Sequence, residues 1–361
     1  MDLLNLWFNN IENVGYASRR KLLECFGTIE NIYNASKPML QELLPQNKVD
    51  SIEKSKNMKH AKYLQEILER KDIKIVYPGH KDYPQKLNDI YDPPHLLYVR
   101  GNLKHSLNDY NSNVGVVGSR KCDVYGKEIA KSFSYKLAQN GFNIISGLAM
   151  GIDVMSHTGA LAANGYTVGV LGCGIDVIYP QYNIEEYMEI SKKGAIISEY
   201  APGVKANPAF FPIRNRIISG LSDGLLVIEA KKKSGSLITA DAALEQGKQV
   251  YAIPGRITDA NCEGTNNLIK QGAMCVTSPA DIINDLKPNN KYDENFETTN
   301  QFNLAPLEKM LYSCLSLEPL YVDDIIDKVK LSVSDTISLL YAMEEKGIIK
   351  QISKGYYIIS I

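Results

Sequence analysis

Four short segments hold the small and cationic residues that suit anion binding. They are Gly118-Ser119-Arg120, Ser146-Gly147-Leu148-Ala149-Met150-Gly151-Ile152-Asp153, Gly172-Cys173-Gly174, and Ser234-Gly235-Ser236-Leu237-Ile238-Thr239-Ala240, the last preceded by Lys231-Lys232-Lys233. Small side chains let a backbone approach a phosphate closely, and a loop that opens a helix offers unpaired N–H groups and a partial positive charge. Arg120 adds a planar guanidinium suited to bidentate phosphate contact. A further constellation is Phe210-Phe211-Pro212-Ile213-Arg214-Asn215-Arg216-Ile217-Ile218, just ahead of a predicted strand. It pairs guanidinium groups for phosphates with flat rings for bases, the combination a single strand needs. The candidate phosphate and strand contacts are therefore Gly118, Ser119, Arg120, Gly147, Gly151, Phe211, Arg214, Asn215, Arg216, Ser234, Gly235, Ser236 and Thr239. A structural role competes at each: glycines that only make tight turns, and an Arg214 or Arg216 that pairs with Glu199 or Glu229 and organises the fold.

Other chemistries lack their residues. Val117-Gly118-Ser119-Arg120 is not GxGxxG, Ser146-Gly147 stands where a ribose-binding acid would, and no Walker A loop occurs. The phosphate pocket is thus expected to hold neither NAD nor ATP, and no cofactor is expected. None of the five histidines sits in a nucleophile motif such as GxSxG. His157 follows Asp153 by one helical turn, and a structural histidine, with a hydrogen bond to Asp153, is the expectation. No HExxH or other metal-ligand spacing is found.

The elements that must position these loops are visible as alternating texture. β-branched runs recur at Val114–Val117, Phe142–Ile145, Thr167–Leu171, Ala195–Ser198, Gly224–Ile228, Gln249–Ile253 and Ala273–Val276, separated by helical stretches. Strands repeated this way and apolar on both faces imply a parallel sheet covered by helices on both sides. Gly141, Gly165, Gly194, Gly247 and Gly272 precede strands and are expected to close helices. In such a sheet, ligands bind at the carboxyl ends of the strands. All four small-residue loops fall there.

The expected organisation is α/β: a small helical domain over 1–74, a connector packed on the core over 75–112, and a Rossmann-like doubly wound, mainly parallel domain over 113–286. The connector is marked by Tyr83-Pro84 and Asp92-Pro93-Pro94 and ends in the apolar segment His95 to Val99. A polar linker over 287–303 leads to a winged helix over 304–361, with helices from Pro306, over Val322 to Val329 and after Ser332, then a hairpin.

Composition narrows the partners. The 361 residues carry a net charge of −1, so the bulk electrostatics of a duplex-coating protein are absent and any nucleic acid must bind a local site. Composition alone favours a metabolic α/β enzyme. The six scattered cysteines form no CxxC pair, which suits a reducing cytoplasm. No apolar run approaches the ~20 residues of a membrane span, and the first ten residues lack the pattern of a secretory signal.

Taken in order, Gly118-Ser119-Arg120, Ser146 to Asp153, Tyr179-Pro180, Ser198-Glu199-Tyr200, Phe211-Pro212-Ile213-Arg214-Asn215-Arg216, Ser234-Gly235-Ser236 with Thr239-Ala240, and Pro254-Gly255 resemble the DNA-processing protein A (DprA/Smf) family over roughly Tyr77 to Asp285. The resemblance implies a cytoplasmic, non-enzymatic mediator of natural transformation. Such a protein binds incoming single-stranded DNA, forms a homodimer through the Rossmann-like domain and loads the RecA recombinase. It also implies that Gly118, Ser119 and Arg120 hold backbone phosphates, with Arg214 and Asn215 in the same groove. Family members often place a cation directly after the Tyr-Pro; here Gln181 stands there, and Lys205 is the compensating candidate. Ile11 to Tyr33 is similar to a helix-hairpin-helix segment, which either binds phosphate or serves packing alone. The tail from Leu304 has more acidic than basic residues, so protein contact or dimer support is expected of it in preference to duplex reading.

Two other readings stay open. One is a phosphoribohydrolase-like or nucleotide-binding Rossmann enzyme, using the Ser234 to Thr239 loop and Glu245. The other is a nucleotide-sensing regulator that binds duplex DNA through the winged helix.

Overall fold

A computed structural model of the chain describes residues 2–110, 112–288 and 304–360; the expected linker lies outside them apart from residues 287 and 288. Six helices come first: α1 (Asp2–Asn9), α2 (Tyr16–Phe26), α3 (Ile29–Asn34), α4 (Lys37–Gln41), α5 (Gln46–Ser55) and α6 (Lys59–Arg70). They bury Leu6, Trp7, Phe8, Leu22, Leu40, Val49 and Ile52, and the same apolar cluster continues into Tyr98, Ile196 and Leu171 of the main sheet. The helical region therefore shares its core with the sheet.

The connector supplies β1 (Lys74–Val76) and β2 (Leu97–Gly101). Neither was legible as a strand, because one is three residues long and the other emerges from a proline-rich turn. Seven strands follow at the expected places: β3 (Asn113–Val117), β4 (Asn143–Ser146), β5 (Thr167–Gly174), β6 (Ala195–Tyr200), β7 (Gly224–Val227), β8 (Gln249–Ala252) and β9 (Met274–Cys275). Between and after them lie α7 (Val124–Gln139), α8 (Ile152–Ala162), α9 (Ile184–Lys193), α10 (Phe210–Leu221), α11 (Gly235–Glu245), α12 (Glu263–Lys270) and α13 (Pro279–Leu286).

The nine-stranded sheet runs β1-β2-β6-β5-β4-β3-β7-β8-β9. β3 to β9 are mutually parallel, while β2 pairs antiparallel with both β1 and β6. Successive side chains of a strand point to opposite faces, and the core divides accordingly. Val114, Val116 and Leu226 pack with Ala130, Phe133 and Leu137 of α7 and Ile282 and Ile283 of α13. Val117, Leu225 and Val227 pack with Ile217 and Ile218 of α10 and Ala240 and Ala243 of α11. Helices thus cover both faces, as the apolar runs require.

Helix ends follow local chemistry. Asp123 accepts a hydrogen bond from the Gly126 amide at 2.8 Å and opens α7, and Ser234 caps α11. Gly141, Gly247 and Gly272 take positive φ, as expected of helix-closing glycines. Gly194 closes α9 without a positive φ, its amide donating to the Ile190 carbonyl, whereas at Gly165 the left-handed turn before β5 is carried by Asn164, and a side chain at Gly165 would meet Ala138 at 2.6 Å.

The C-terminal region contains α14 (Pro306–Cys314), β10 (Leu320–Tyr321), α15 (Val322–Val329), α16 (Val333–Glu345), β11 (Ile349–Ser353) and β12 (Tyr356–Ile359), with the strands ordered β10-β12-β11. Leu311, Ile325, Leu340, Met343, Ile349 and Tyr357 give it a core of its own. The three helices and hairpin match expectation; the two-residue β10 is additional. Among the described residues, no helix is long and apolar enough to cross a membrane.

Candidate functional site

From β3 the chain winds outward through β4, β5 and β6, and α10 then carries it back to β7 on the other side of β3. The loops leaving β3 and β7 diverge at this reversal of strand order, and such a reversal opens a crevice at the carboxyl edge of a sheet. The cleft here has a volume of about 570 Å3. Gly118, Ser119 and Arg120 line it from the first loop, Phe211, Arg214 and Asn215 from α10, and Ser234, Gly235, Ser236 and Thr239 from the start of α11. Gly147 lines a smaller side pocket beside it, together with Arg120, Met150, Tyr179 and Arg214. One rim therefore gathers most of the residues singled out from the sequence.

Arg120 is exposed, and among the described residues no carboxylate pairs with it. Its guanidinium carbon sits 4.8 Å from the centre of the Phe211 ring, and Phe211 stacks on Tyr179 with centroids 5.8 Å apart and planes 27° from parallel. Phe210 stacks on Tyr200 at 4.3 Å. Gly172-Cys173-Gly174, expected as a loop, forms the end of β5, and a Cβ at Gly172 would come within 2.7 Å of the Phe211 ring, so this strand end makes room for an aromatic floor. Tyr179, Lys231 and Lys233 also line the cleft and were not among the candidates. The signal for them was present in Tyr179-Pro180 and in the lysine run before Ser234.

Arg214 reaches the cleft but is only 4 % exposed. Its Nη1 donates to the Gly147 carbonyl at 2.7 Å and to the Val170 carbonyl, and its Nε donates to Asn215 Oδ1 at 3.1 Å. Gly147 is required by this approach, since a Cβ there would lie 2.6 Å from both Nη atoms. Burial lowers the Arg214 pKa to about 10, with Asp153 opposing the shift, so the group stays charged at neutral pH. The Asp153 carboxyl is pushed up to about 6 by its own burial, with Arg214 pulling the other way. Asn215 Nδ2 donates to the Gly235 carbonyl at 3.4 Å, tying α10 to the loop that opens α11. Arg214 and Asn215 thus tie β5 and two of the loops together and place a positive charge beneath the cleft.

Two expectations of the site are corrected. Arg216 does not line the cleft. Its Nη1 and Nη2 donate to Glu199 at 2.7 and 2.8 Å, and its Nε lies 3.3 Å from Asp92. Burial opposes its charge, but the two carboxylates raise its pKa overall. Gly151, with φ of 81°, lies against the backbone of Ser119 and Arg120, where a Cβ would approach the Arg120 carbonyl to 2.8 Å; it locks the first two loops together. Lys205 is exposed on the loop after β6 and is not part of the cleft lining.

His157 is buried and bonds Thr167, not Asp153. Thr167 Oγ1 donates to the Ile144 carbonyl at 2.7 Å and therefore accepts from His157 Nδ1 at 2.7 Å. Burial lowers the pKa of the imidazole to about 3 and keeps it neutral, which makes it structural. Glu229, at the end of β7, faces Asp123. Burial first, then the neighbouring carboxylate, raise its pKa to about 8.

Glu245 ends α11 and is exposed. At ~1.5 Å of rise per residue, it stands about 15 Å from the cleft end of that helix.

Known proteins share this architecture and its motifs. The chain is 42% identical over 217 residues to the DNA processing protein DprA of Bacillus subtilis, covering 60% of this chain and 72% of the relative. It is 36% identical over 295 residues to protein Smf of Escherichia coli, covering 80% and 78%. The crystal structure of DNA processing protein A from Streptococcus pneumoniae superposes with a TM-score of 0.70 at 32% identity, covering 78% of this chain and 97% of that one. A second, from Helicobacter pylori, was described for its single-stranded DNA binding mode; it superposes with a TM-score of 0.54 at 30% identity, covering 60% and 96%. The family of DNA recombination-mediator protein A matches residues 74–287, the span that builds the sheet and the cleft. This chain belongs to the DNA recombination-mediator protein A family.

Proposed function

We propose that the cleft at the carboxyl rim grips the backbone of single-stranded DNA without transforming it, and that the protein protects incoming strands and loads the RecA recombinase during natural transformation. The observation that carries this reading is Arg120: an exposed guanidinium without a carboxylate partner among the described residues, lying over the Phe211–Tyr179 stack at the mouth of an open cleft. Cation and ring together hold phosphate and base, and neither selects a particular base. Gly118, Ser119, Ser234, Gly235, Ser236 and Thr239 supply amides and hydroxyls for phosphate, with Lys231 and Lys233 as further cations. The binding mode described for the Helicobacter pylori protein supports the choice of ligand.

In this reading the protein is no enzyme and needs no cofactor. The distance of Glu245 from the cleft disfavours a phosphoribohydrolase. The chain acts in the cytoplasm as a homodimer joined through the Rossmann-like domain. We divide it into a helical domain (1–74), a connector (75–112), the binding domain (113–286), a linker (287–303) and a winged helix (304–361) that contacts protein.

Fluorescence anisotropy with a labelled oligothymidine tests the central step. Binding is expected to weaken with salt, to survive duplex competitor, and to fall for every sequence alike in Arg120→Ala, with a shallower salt slope. Unchanged affinity in that variant would remove the cleft as the binding site. RecA loading is read separately, as the rate of RecA filament growth on strands already coated by a single-strand-binding protein.

A further inference from the structure

We propose that a second copy of this chain docks on the C-terminal region, its α16 lying antiparallel to the first around Ile337. One face of α16 is spent on the core, where Thr336, Leu340 and Met343 are buried. Another face points outward. Val333, Ile337 and Tyr341 follow one another at four-residue intervals, which places them in one stripe, and they are 57, 40 and 63% exposed.

This stripe is ill suited to a duplex. In a helix-turn-helix pair such as α15 and α16, the second helix is the one that enters the major groove. Bases are read there chiefly by Arg, Lys, Asn and Gln, and α16 holds none of these from Ser332 to Glu345. The rest of the chain does not cover it either. The region meets the sheet domain through Lys350 of β11, which pairs with Glu128 of α7 at 2.9 Å, and through Glu318, which pairs with Arg256. Among the described residues, those contacts leave the stripe in solvent.

Charge identifies the occupant. With a two-fold axis at Ile337, Val333 of each copy meets Tyr341 of the other. Glu344 and Glu345 lie seven and eight residues after Ile337, and Lys330 lies seven residues before it. Antiparallel pairing therefore brings the acidic end of one α16 to the end of the other where Lys330 is exposed. The partial positive charge at that helix amino terminus adds to the attraction. A parallel pair would set Glu345 against Glu345. Two 13-residue helices crossing over ~20 Å bury less than the ~1,200 Å2 of a stable dimer. The contact is thus weak by itself, and it joins pairs already formed through the Rossmann-like domain into larger assemblies.

Sedimentation velocity of the full-length protein over a range of concentrations tests this. The parent is expected to associate beyond the dimer. Ile337→Glu is expected to weaken that step roughly tenfold with Tm unchanged, the position being exposed. Glu345→Lys and Lys330→Glu should each weaken it, and the two together restore it, because the pair exchanges charge across the axis. If Ile337→Glu sediments as the parent does, whatever the stoichiometry, the proposal falls. Losses in both single swaps without recovery in the double variant also overturn it. Should Ile337→Glu drop to the monomer, and the double swap recover, the α16 contact stands and the Rossmann-like dimer is the reading that fails.

Discussion

Arg120 and Arg214 line the cleft while Arg216, on the same helix as Arg214, lies outside it, and the partner atoms of each define what it does. Arg120 faces solvent over a ring, Arg214 faces the carbonyls of Val170 within β5 and of Gly147 just past β4, and Arg216 faces two carboxylates. The Arg214 arrangement makes Gly147 a sensitive position. Gly147→Ala places a methyl against the guanidinium and is expected to destabilise the protein by about 1–3 kcal/mol in urea unfolding, weakening oligothymidine binding as the second loop shifts. Glu229 offers a pH test. Its folded pKa, about 8, lies above its ordinary 4.5, so between these values the folded state holds a proton that the unfolded chain has released. Stability must then fall as pH rises from about 4.5 to 8. Glu229→Gln, which mimics the protonated acid, is expected to flatten the dependence of Tm on pH across that window.

At the scale of elements, α10 is the organising piece. Its first turn gives the cleft Phe211, its middle gives Arg214 and Asn215, and Arg216 fastens the helix to β6 and the connector through Glu199 and Asp92. Removing one partner of such a cluster leaves the others uncompensated, at a cost of about 3 kcal/mol. Arg216→Ala is therefore expected to lower Tm by several degrees while the folded fraction still binds oligothymidine. A selective loss of binding with unchanged Tm would return Arg216 to the cleft. Most elements were legible from the sequence: seven core strands, their intervening helices and the C-terminal helices each announce themselves by apolar period and capping residues. β1, β2 and β10 did not, because two- to five-residue strands inside proline-rich or helix-flanking segments carry no period of their own.

On the scale of the whole molecule, the N-terminal helices and the C-terminal region relate to the sheet differently. The N-terminal helices share one of the sheet's apolar clusters, whereas the C-terminal region encloses its own. A chain ending at residue 288 is accordingly expected to fold and to bind oligothymidine with near-parental affinity, measured by anisotropy at matched salt. Removing the N-terminal helices instead would expose Tyr98, Ile196 and Leu171 and is expected to yield insoluble protein.

The order of apolar runs and small-residue loops was enough to determine a parallel sheet and the edge on which ligands gather, since strand periodicity and loop composition are local properties of the chain; the ordered motifs carried the resemblance to the family. Which arginine meets solvent and which is consumed in holding loops was decided only by folding. Arg214 and Arg216 stand two residues apart on one helix, and their surroundings come from strands distant in sequence: Gly147 and Val170 for one, Asp92 and Glu199 for the other. No local signal encodes a partner supplied by the far side of a sheet.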